Sequence, residues 1–308
     1  MILTVTLNTA LDITYRVDAL IPHGSHRVHE VVERPGGKGV NVARVLSALG
    51  QECIVTGFAG GAVGAVVRQL LAPLTVQDAL VPIAGSTRRT IAVVDGASGD
   101  TTQLNEPGPT ITAEEWASFL RAYGVLLHHA NAVALCGSLP QGVHVGAYAE
   151  LIRRAHAAQV PVLLDTSGEP LRRGIAARPD LVKPNLDELA QLTGSREPLR
   201  ATREARRRGA HTVVTSLGAA GLLAATGQGV WHASPPAPVK GNPTGAGDSV
   251  VAALLAGLVE GVAWPERLAH AVALSAATVL APTAGEFDRT GYETLLPLVT
   301  VTEQEATA

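Results

Sequence analysis

The sequence has few devices that would staple or anchor a fold from outside. Its two cysteines, Cys53 and Cys136, each lie inside an apolar run that reads as a strand. They imply buried thiols in a reduced compartment, not a disulfide framework. No Cys/His spacing suits zinc. Aromatic residues make up 3% of the chain, so the core falls to aliphatic side chains. A formal net charge of −3 over 308 residues gives no general affinity for nucleic acid or anionic membranes. The one dense basic run, Arg203 to Arg208 (REARRR), reads as a solvated helix face. No apolar stretch is long and unbroken enough to span a bilayer. The start, MILTVTLN, has neither the basic beginning nor the small-residue cleavage site of a signal peptide, and a cytoplasmic protein is expected. The phosphate-loop spacing GxxxxGK(S/T) and the dinucleotide spacing GxGxxG are both missing, as are internal repeats and a clear interdomain linker.

What is present is an alternation of short β-rich runs with helical patterns. Strands are expected at Ile2–Leu7, Cys53–Phe58, Ala132–Cys136, Val160–Asp165, Leu181–Lys183 and Thr212–Ser216, and helices over Val40–Leu49, Glu114–Leu127, Val145–Ala158 and Gly247–Val259. Thr112 and Glu115 form a capping box before the second helix. Such alternation argues for a mostly parallel sheet covered on both faces, with ligands beyond the carboxyl ends of its strands. Two stretches, about 12–32 and 87–104, instead alternate polar and apolar residues around turns at Pro22–Gly24 and Gly96–Gly99. Each reads as an antiparallel hairpin, and together they would form a small lid on a single-domain chain of residues 1–308.

Three segments carry chemistry. In Asn242-Pro-Thr-Gly-Ala-Gly-Asp248, the glycines at 245 and 247 let backbone N–H groups turn toward one point, at the positive end of the helix that follows. That point suits a phosphate in transfer, and Asp248 beside it can orient a hydroxyl and accept its proton. A tight turn with an acidic first-turn residue explains the same letters structurally. The surroundings are expected to keep the Asp248 pKa low, which late proton departure in a loose phosphoryl-transfer transition state tolerates. In Arg34-Pro-Gly-Gly-Lys-Gly-Val-Asn41, the glycines allow close approach of a polyhydroxylated ligand and Lys38 and Asn41 supply donors; a glycine turn with a solvated lysine is the plainer account. In Lys183-Pro-Asn-Leu-Asp-Glu188, Asn185 and Glu188 read as a capping box, or Glu188 as an organiser of magnesium, directly or through water.

Taken together and in this order, GGKGVN (36–41), KPNLDEL (183–189) and NPTGAGDSVVAALL (242–255) resemble the PfkB family of carbohydrate kinases, with GSLP (137–140) and TSLGAAG (215–221) in support. The resemblance spans nearly the whole chain. It implies an α/β fold, the ribokinase-like three-layer α/β/α sandwich with a small β-sheet lid, and ATP and Mg2+ as cofactors. By the same resemblance Asp248 is the base, and Gly245, Ala246 and Gly247 form an anion hole. Asn185 and Glu188 place magnesium and phosphate, Lys183 lies near the donor phosphates, and Ser216, Gly218 and Gly221 lie near the nucleotide. Asp12, Gly37, Lys38 and Asn41 contact the sugar, and pairing through the lid gives a homodimer. The start TVTLNTALDITY looks like the hexose-phosphate branch, with Thr9 where its usual NPALD has proline. A phosphorylated sugar needs a cation, preferably an arginine fork; Arg88 is the first candidate, with Arg89 and Arg27 as further ones, each also explicable as a surface arginine. The segment Asn105-Glu-Pro-Gly-Pro109 looks most like 1-phosphofructokinases, with Asn105 as a donor to sugar hydroxyls or a turn stabiliser. The expected reaction is therefore fructose 1-phosphate plus ATP to fructose 1,6-bisphosphate plus ADP. Tagatose-6-phosphate kinase and 6-phosphofructokinase are the alternatives. Behind them stand a kinase for an unphosphorylated sugar or nucleoside and a non-catalytic sugar sensor.

Overall fold

The computed structural model describes residues 1–281 and 283–304. The first half of the chain supplies strands β1 (Ile2–Thr6), β2 (Ala10–Val17), β3 (Glu30–Gly36), β4 (Cys53–Gly60), β5 (Val76–Asp78), β6 (Val81–Ile83), β7 (Arg88–Asp95), β8 (Thr101–Asn105) and β9 (Ala132–Cys136). The second half adds β10 (Val162–Asp165), β11 (Leu181–Val182), β12 (Thr212–Ser216), β13 (Leu222–Ala225), β14 (Val230–Ser234) and β15 (Thr300–Glu303). The helices are α1 (Lys38–Ala48), α2 (Gly61–Leu71), α3 (Ala113–Leu127), α4 (Ala147–Ala157), α5 (Gly168–Ala176), α6 (Leu186–Thr193), α7 (Pro198–Arg207), α8 (Ala246–Val259), α9 (Trp264–Val279) and α10 (Arg289–Leu295).

All six expected strands of the parallel region form and, with the short β5 that was not expected, run in the order β12-β11-β10-β9-β1-β4-β5, every pair parallel. Three further strands, β13, β14 and β15, extend the sheet antiparallel beyond β12. Side chains alternate across it with the period of two that strands impose. In β9, Ala132, Ala134 and Cys136 face the layer of α1, α2, α8 and α9, while Val133 and Leu135 face the layer of α3 to α7. The small side of β9 admits α8 close to the sheet. That helix is apolar around its whole circumference and is correspondingly buried, with Leu254 and Leu255 at 0% exposure. Truncating either to Ala would cost about 2–5 kcal/mol.

The two expected hairpins are present. β2 pairs antiparallel with β3 and β7 with β8, and Asp95 closes the second turn by accepting from the Ala97 and Ser98 amides. The hairpins join through a parallel β2–β7 pair into a separate four-stranded sheet ordered β3-β2-β7-β8. That junction is not readable from either hairpin alone. β2 leaves the main sheet just after the carboxyl end of β1, and β3 returns through Gly37 into α1, so the small sheet stands over the carboxyl ends of the parallel strands.

Candidate active site

Five parallel strands deliver polar residues at their carboxyl ends: Thr6 at the end of β1 and Asn8 beyond it, Ser138 after β9, Asp165 and Thr166 at β10, Lys183 after β11 and Ser216 at β12. Beside them, the chain turns through Gly245 in the left-handed region (φ 85°) and starts α8 at Ala246. The turn presses on a neighbouring loop, since a Cβ on Gly245 would lie 2.9 Å from the Ala284 backbone. Asp248 is in the first turn of α8, is 6% exposed, and its Oδ2 accepts from Asn41 Nδ2 at 2.9 Å. Residues 207 positions apart in sequence thus meet in one hydrogen bond.

Burial pushes the Asp248 carboxyl up to about 6, with Lys38, Asn41 and Lys183 pulling it down and Asp165 adding to the rise. The expectation of a low pKa is therefore corrected. Desolvation outweighs the cations, because the first turn of α8 is packed against α1 and the sheet. The consequence favours chemistry, since a base poised near neutral pH is stronger than an ordinary carboxylate yet still about nine-tenths ionised at pH 7. Of the turn's amides, Ala246 N–H donates to Pro243 O at 3.2 Å. Gly247 and Asp248 contribute first-turn N–H groups, which have no acceptor within a helix.

Lys38 opens α1, where the helix dipole disfavours a cation. It is held there by Asp165, with Nζ 3.2 Å from Oδ2 and 3.3 Å from Oδ1. Lys183 is 5% exposed and reaches Asp165 Oδ1 at 3.4 Å. Burial alone would push the Asp165 carboxyl up, but the two ammoniums, Lys183 first, more than reverse this and leave it below the ordinary range. Lys38 moves up in response, chiefly through Asp165. Lys183 also underlies the glycine turn, 3.4 Å from where a Gly247 Cβ would stand. Sequence reasoning missed Asp165, although an apolar strand ending in an acid at the ligand-gathering edge of a parallel sheet is a signal for it.

A cavity of about 220 Å³ lies next to Lys38, bounded also by Asn8, Gly37, Arg88, Ser138 and Thr166. Arg88 Nε donates to Asn8 O at 3.1 Å and its Nη1 to Thr90 Oγ1 at 3.2 Å, which aims the guanidinium across the base of the lid. Asp12, on β2, is pushed up by burial, with Arg88 the leading opposing influence. It fits only because residue 36 is glycine, as a Cβ there would lie 2.1 Å from its Cγ. Thr6 Oγ1, Asn8 Oδ1 and Asn41 Oδ1 are buried with no hydrogen-bond partner among the described residues. Orphaned acceptors gathered at one edge of the sheet are what a hydroxylated ligand would satisfy.

Other expected residues lie at the margins. Asn105 is exposed on the edge strand β8, opposite Thr90, and does not line the cavity. Arg89 points away into an ion pair with Glu106, and Arg27 is exposed in the lid's first loop. Asn185 and Glu188 form a complete capping box, with both reciprocal bonds at 2.8 Å. The cap uses Glu188 Oε2 and leaves Oε1 outside it. A carboxylate oxygen is the hard donor that Mg2+ takes, and the Glu188 charge acts on Lys38. Ser216 bridges Asn185, and the following turn closes through Gly221 to Gly218. A Cβ at Gly221 would stand 2.0 Å from Ala233 O, so glycine is required there by packing.

Three α/β/α layers with a four-stranded lid over the strand ends are the ribokinase-like architecture. The sequence matches the pfkB family of carbohydrate kinases over residues 5–290, and the chain belongs to that family. It is a phosphotransferase with an alcohol group as acceptor. Among solved structures, it is similar to phosphofructokinase-2 from Escherichia coli in complex with fructose-6-phosphate, at 30% identity over 96% of this chain and 98% of that one (TM-score 0.88). The tetrameric inhibited form of the same protein matches at 29% identity and the same coverage (TM-score 0.88). A Thermotoga maritima protein described as a possible 1-phosphofructokinase matches at 27% identity over 99% of this chain and 100% of that one (TM-score 0.87). Among the described residues no helix is long and apolar enough to cross a membrane.

Proposed function

We propose that the chain transfers the γ-phosphoryl group of ATP to the free primary hydroxyl of fructose 1-phosphate, giving fructose 1,6-bisphosphate and ADP. The observation that carries the reading is the buried Asp248 carboxylate, raised toward neutral pH, beside the first-turn amides of α8 and hydrogen-bonded to Asn41. The sugar phosphate binds under the lid, with Asp12, Asn41 and the Gly37 turn fixing its hydroxyls. The Arg88 guanidinium, next to Lys38 in the cavity, meets its phosphate. The nucleotide lies along Lys183, Asn185 and the 216–221 turn. Mg2+, which neutralises phosphate charge when bound, would be held by Glu188 Oε1, directly or through water.

Asp248 directs the acceptor hydroxyl at the γ-phosphorus. As the new O–P bond forms and the bond to the ADP oxygen breaks, the hydroxyl proton passes to the carboxylate. Gly245, Ala246 and Gly247 turn backbone N–H groups toward the charge on the transferring group; the Ala246 amide must release Pro243 to take part. Lid closure keeps water from replacing the sugar as acceptor. A homodimer paired through the lid accords with the exposed apolar Val31 and Leu104 on its edge strands.

A second acceptor, fructose 6-phosphate, is favoured by the likeness to the E. coli enzyme bound to that sugar. A coupled ADP-release assay over fructose 1-phosphate, fructose 6-phosphate, tagatose 6-phosphate and fructose separates them. The proposal expects the highest kcat/KM for fructose 1-phosphate. A higher value for either 6-phosphate would replace it, and a higher value for fructose would remove the phosphate-binding role of Arg88.

A further inference from the structure

We propose that a basic groove at the opposite end of the sheet from the active site binds a linear polyphosphate anion. The groove runs along α7, past the amino end of β12 and against the β13–β14 turn, and holds about 1710 Å³. Arg178, Arg200, Arg203, Arg206, Arg207 and Arg208 line it. Gly209 makes this convergence possible: with φ 142° and a would-be Cβ 2.4 Å from Ile175 O, it lets the end of α7 abut the end of α5, from which Arg178 projects. Across the groove, a Cβ on Gly227 would lie 3.8 Å from the Arg206 guanidinium, so the far wall is a small turn with no bulk to fill the space.

The arrangement is electrostatically unfavourable without an anion. Arg200, Arg203 and Arg207 follow one another at helical spacings of three and four, where like charges repel. Arg200 is the third residue of α7, near the positive end of the helix dipole. Compensation is incomplete: six arginines line the groove beside two glutamates, Glu197 and Glu303. Glu204 is shared between Arg207 at 3.2 Å and Arg208 at 3.0 Å, and Glu197 is taken up capping α7 through the Leu199 and Arg200 amides. Arginines at a helix C-terminus commonly answer its dipole, which accounts for Arg206, Arg207 and Arg208 but not for Arg200.

Shape and lining select the anion. The volume exceeds the ~300–1,000 Å³ of compact small-molecule pockets, and the Arg200-to-Arg207 stripe extends ~10 Å along the helix, so an extended ligand fits better than a single phosphate. Among the described residues lining the groove there is no Phe, Tyr or Trp. Single-stranded nucleic acid therefore finds one imidazole, His211, and no larger ring to stack on, whereas a bare chain of phosphates needs only guanidinium forks.

The test titrates the full chain with inorganic polyphosphate, orthophosphate, oligothymidylate and polyglutamate by calorimetry at several salt concentrations. Polyphosphate should bind best, with affinity falling steeply as salt rises. The double variant R200E/R207E should weaken it about tenfold or more, and R200Q/R207Q should lower the salt slope by about one unit per lost contact. R121E, which changes an exposed arginine on α3, should leave binding intact, and kinase turnover without polyphosphate should be unchanged in all three. Equal loss in R121E, no loss in either double variant, or tighter binding of oligothymidylate or polyglutamate would each overturn the proposal.

Discussion

A carboxylate held in a dry site costs the fold something, and in this protein the cost is measurable apart from any activity. The Asp248 carboxyl rises from its ordinary 3.8 to about 6, chiefly through burial. Between those values the folded chain binds more protons than the unfolded one, so the contribution of Asp248 to stability declines as pH rises through that window and is constant above it. About two units correspond to about 3 kcal/mol of destabilisation at pH 8 and about half of that at pH 5. Asp248→Asn removes the charge, keeps the shape and still offers an oxygen to Asn41 Nδ2. Because Lys38 loses an attractive neighbour in the variant, about 3 kcal/mol is an upper bound. Urea unfolding of the ligand-free protein should show the Asp248→Asn variant to be the more stable at pH 8, by about 1–3 kcal/mol, with the gap about halved at pH 5. A variant less stable than the parent at pH 8, or a gap independent of pH, would refute the argument that desolvation dominates the site.

Other perturbations probe the same arrangement. Arg88→Ala should raise KM for the sugar phosphate roughly 10–100-fold, the loss of a charge-assisted contact, while KM for ATP stays unchanged and activity on fructose falls far less; steady-state kinetics decide. Gly36→Ala places a Cβ 2.1 Å from the Asp12 carboxyl carbon and should cost up to about 100-fold in kcat/KM with an unchanged circular dichroism spectrum. Lys183→Met leaves a fully buried carboxylate with one partner in place of two and should destabilise by about 3–5 kcal/mol. Lys183→Met combined with Asp165→Asn should recover part of that loss in the same unfolding assay.

Much of this molecule can be read from its letters, and the reasons differ by region. The parallel strands are legible because most are short, mainly apolar runs set between helical patterns. The helices of the capping boxes are legible because Thr112 with Glu115 and Asn185 with Glu188 leave a local chemical signature. The β13–β15 extension is not. Its strands are short and its outermost member is the mostly exposed TVTE, drawn from the far end of the chain. At the site, Asp248, Asn41 and Lys38 announce themselves through glycine-rich surroundings. Asp165 does not, since its role depends on two lysines, one from far upstream and one from the next strand of the sheet. The ionisation of Asp248 is misjudged from sequence for a related reason. The neighbouring cations are visible there, but the completeness with which α1, α8 and the sheet exclude water is a property of packing.

The central claim is that Asp248 takes the proton of the acceptor hydroxyl during phosphoryl transfer. Rapid-mixing single-turnover measurement of Asp248→Asn with ATP, Mg2+ and saturating sugar phosphate tests it most directly. The account predicts transfer slowed about 100- to 10,000-fold with both ligands still bound at near-parental affinity. Transfer at the parental rate would contradict it.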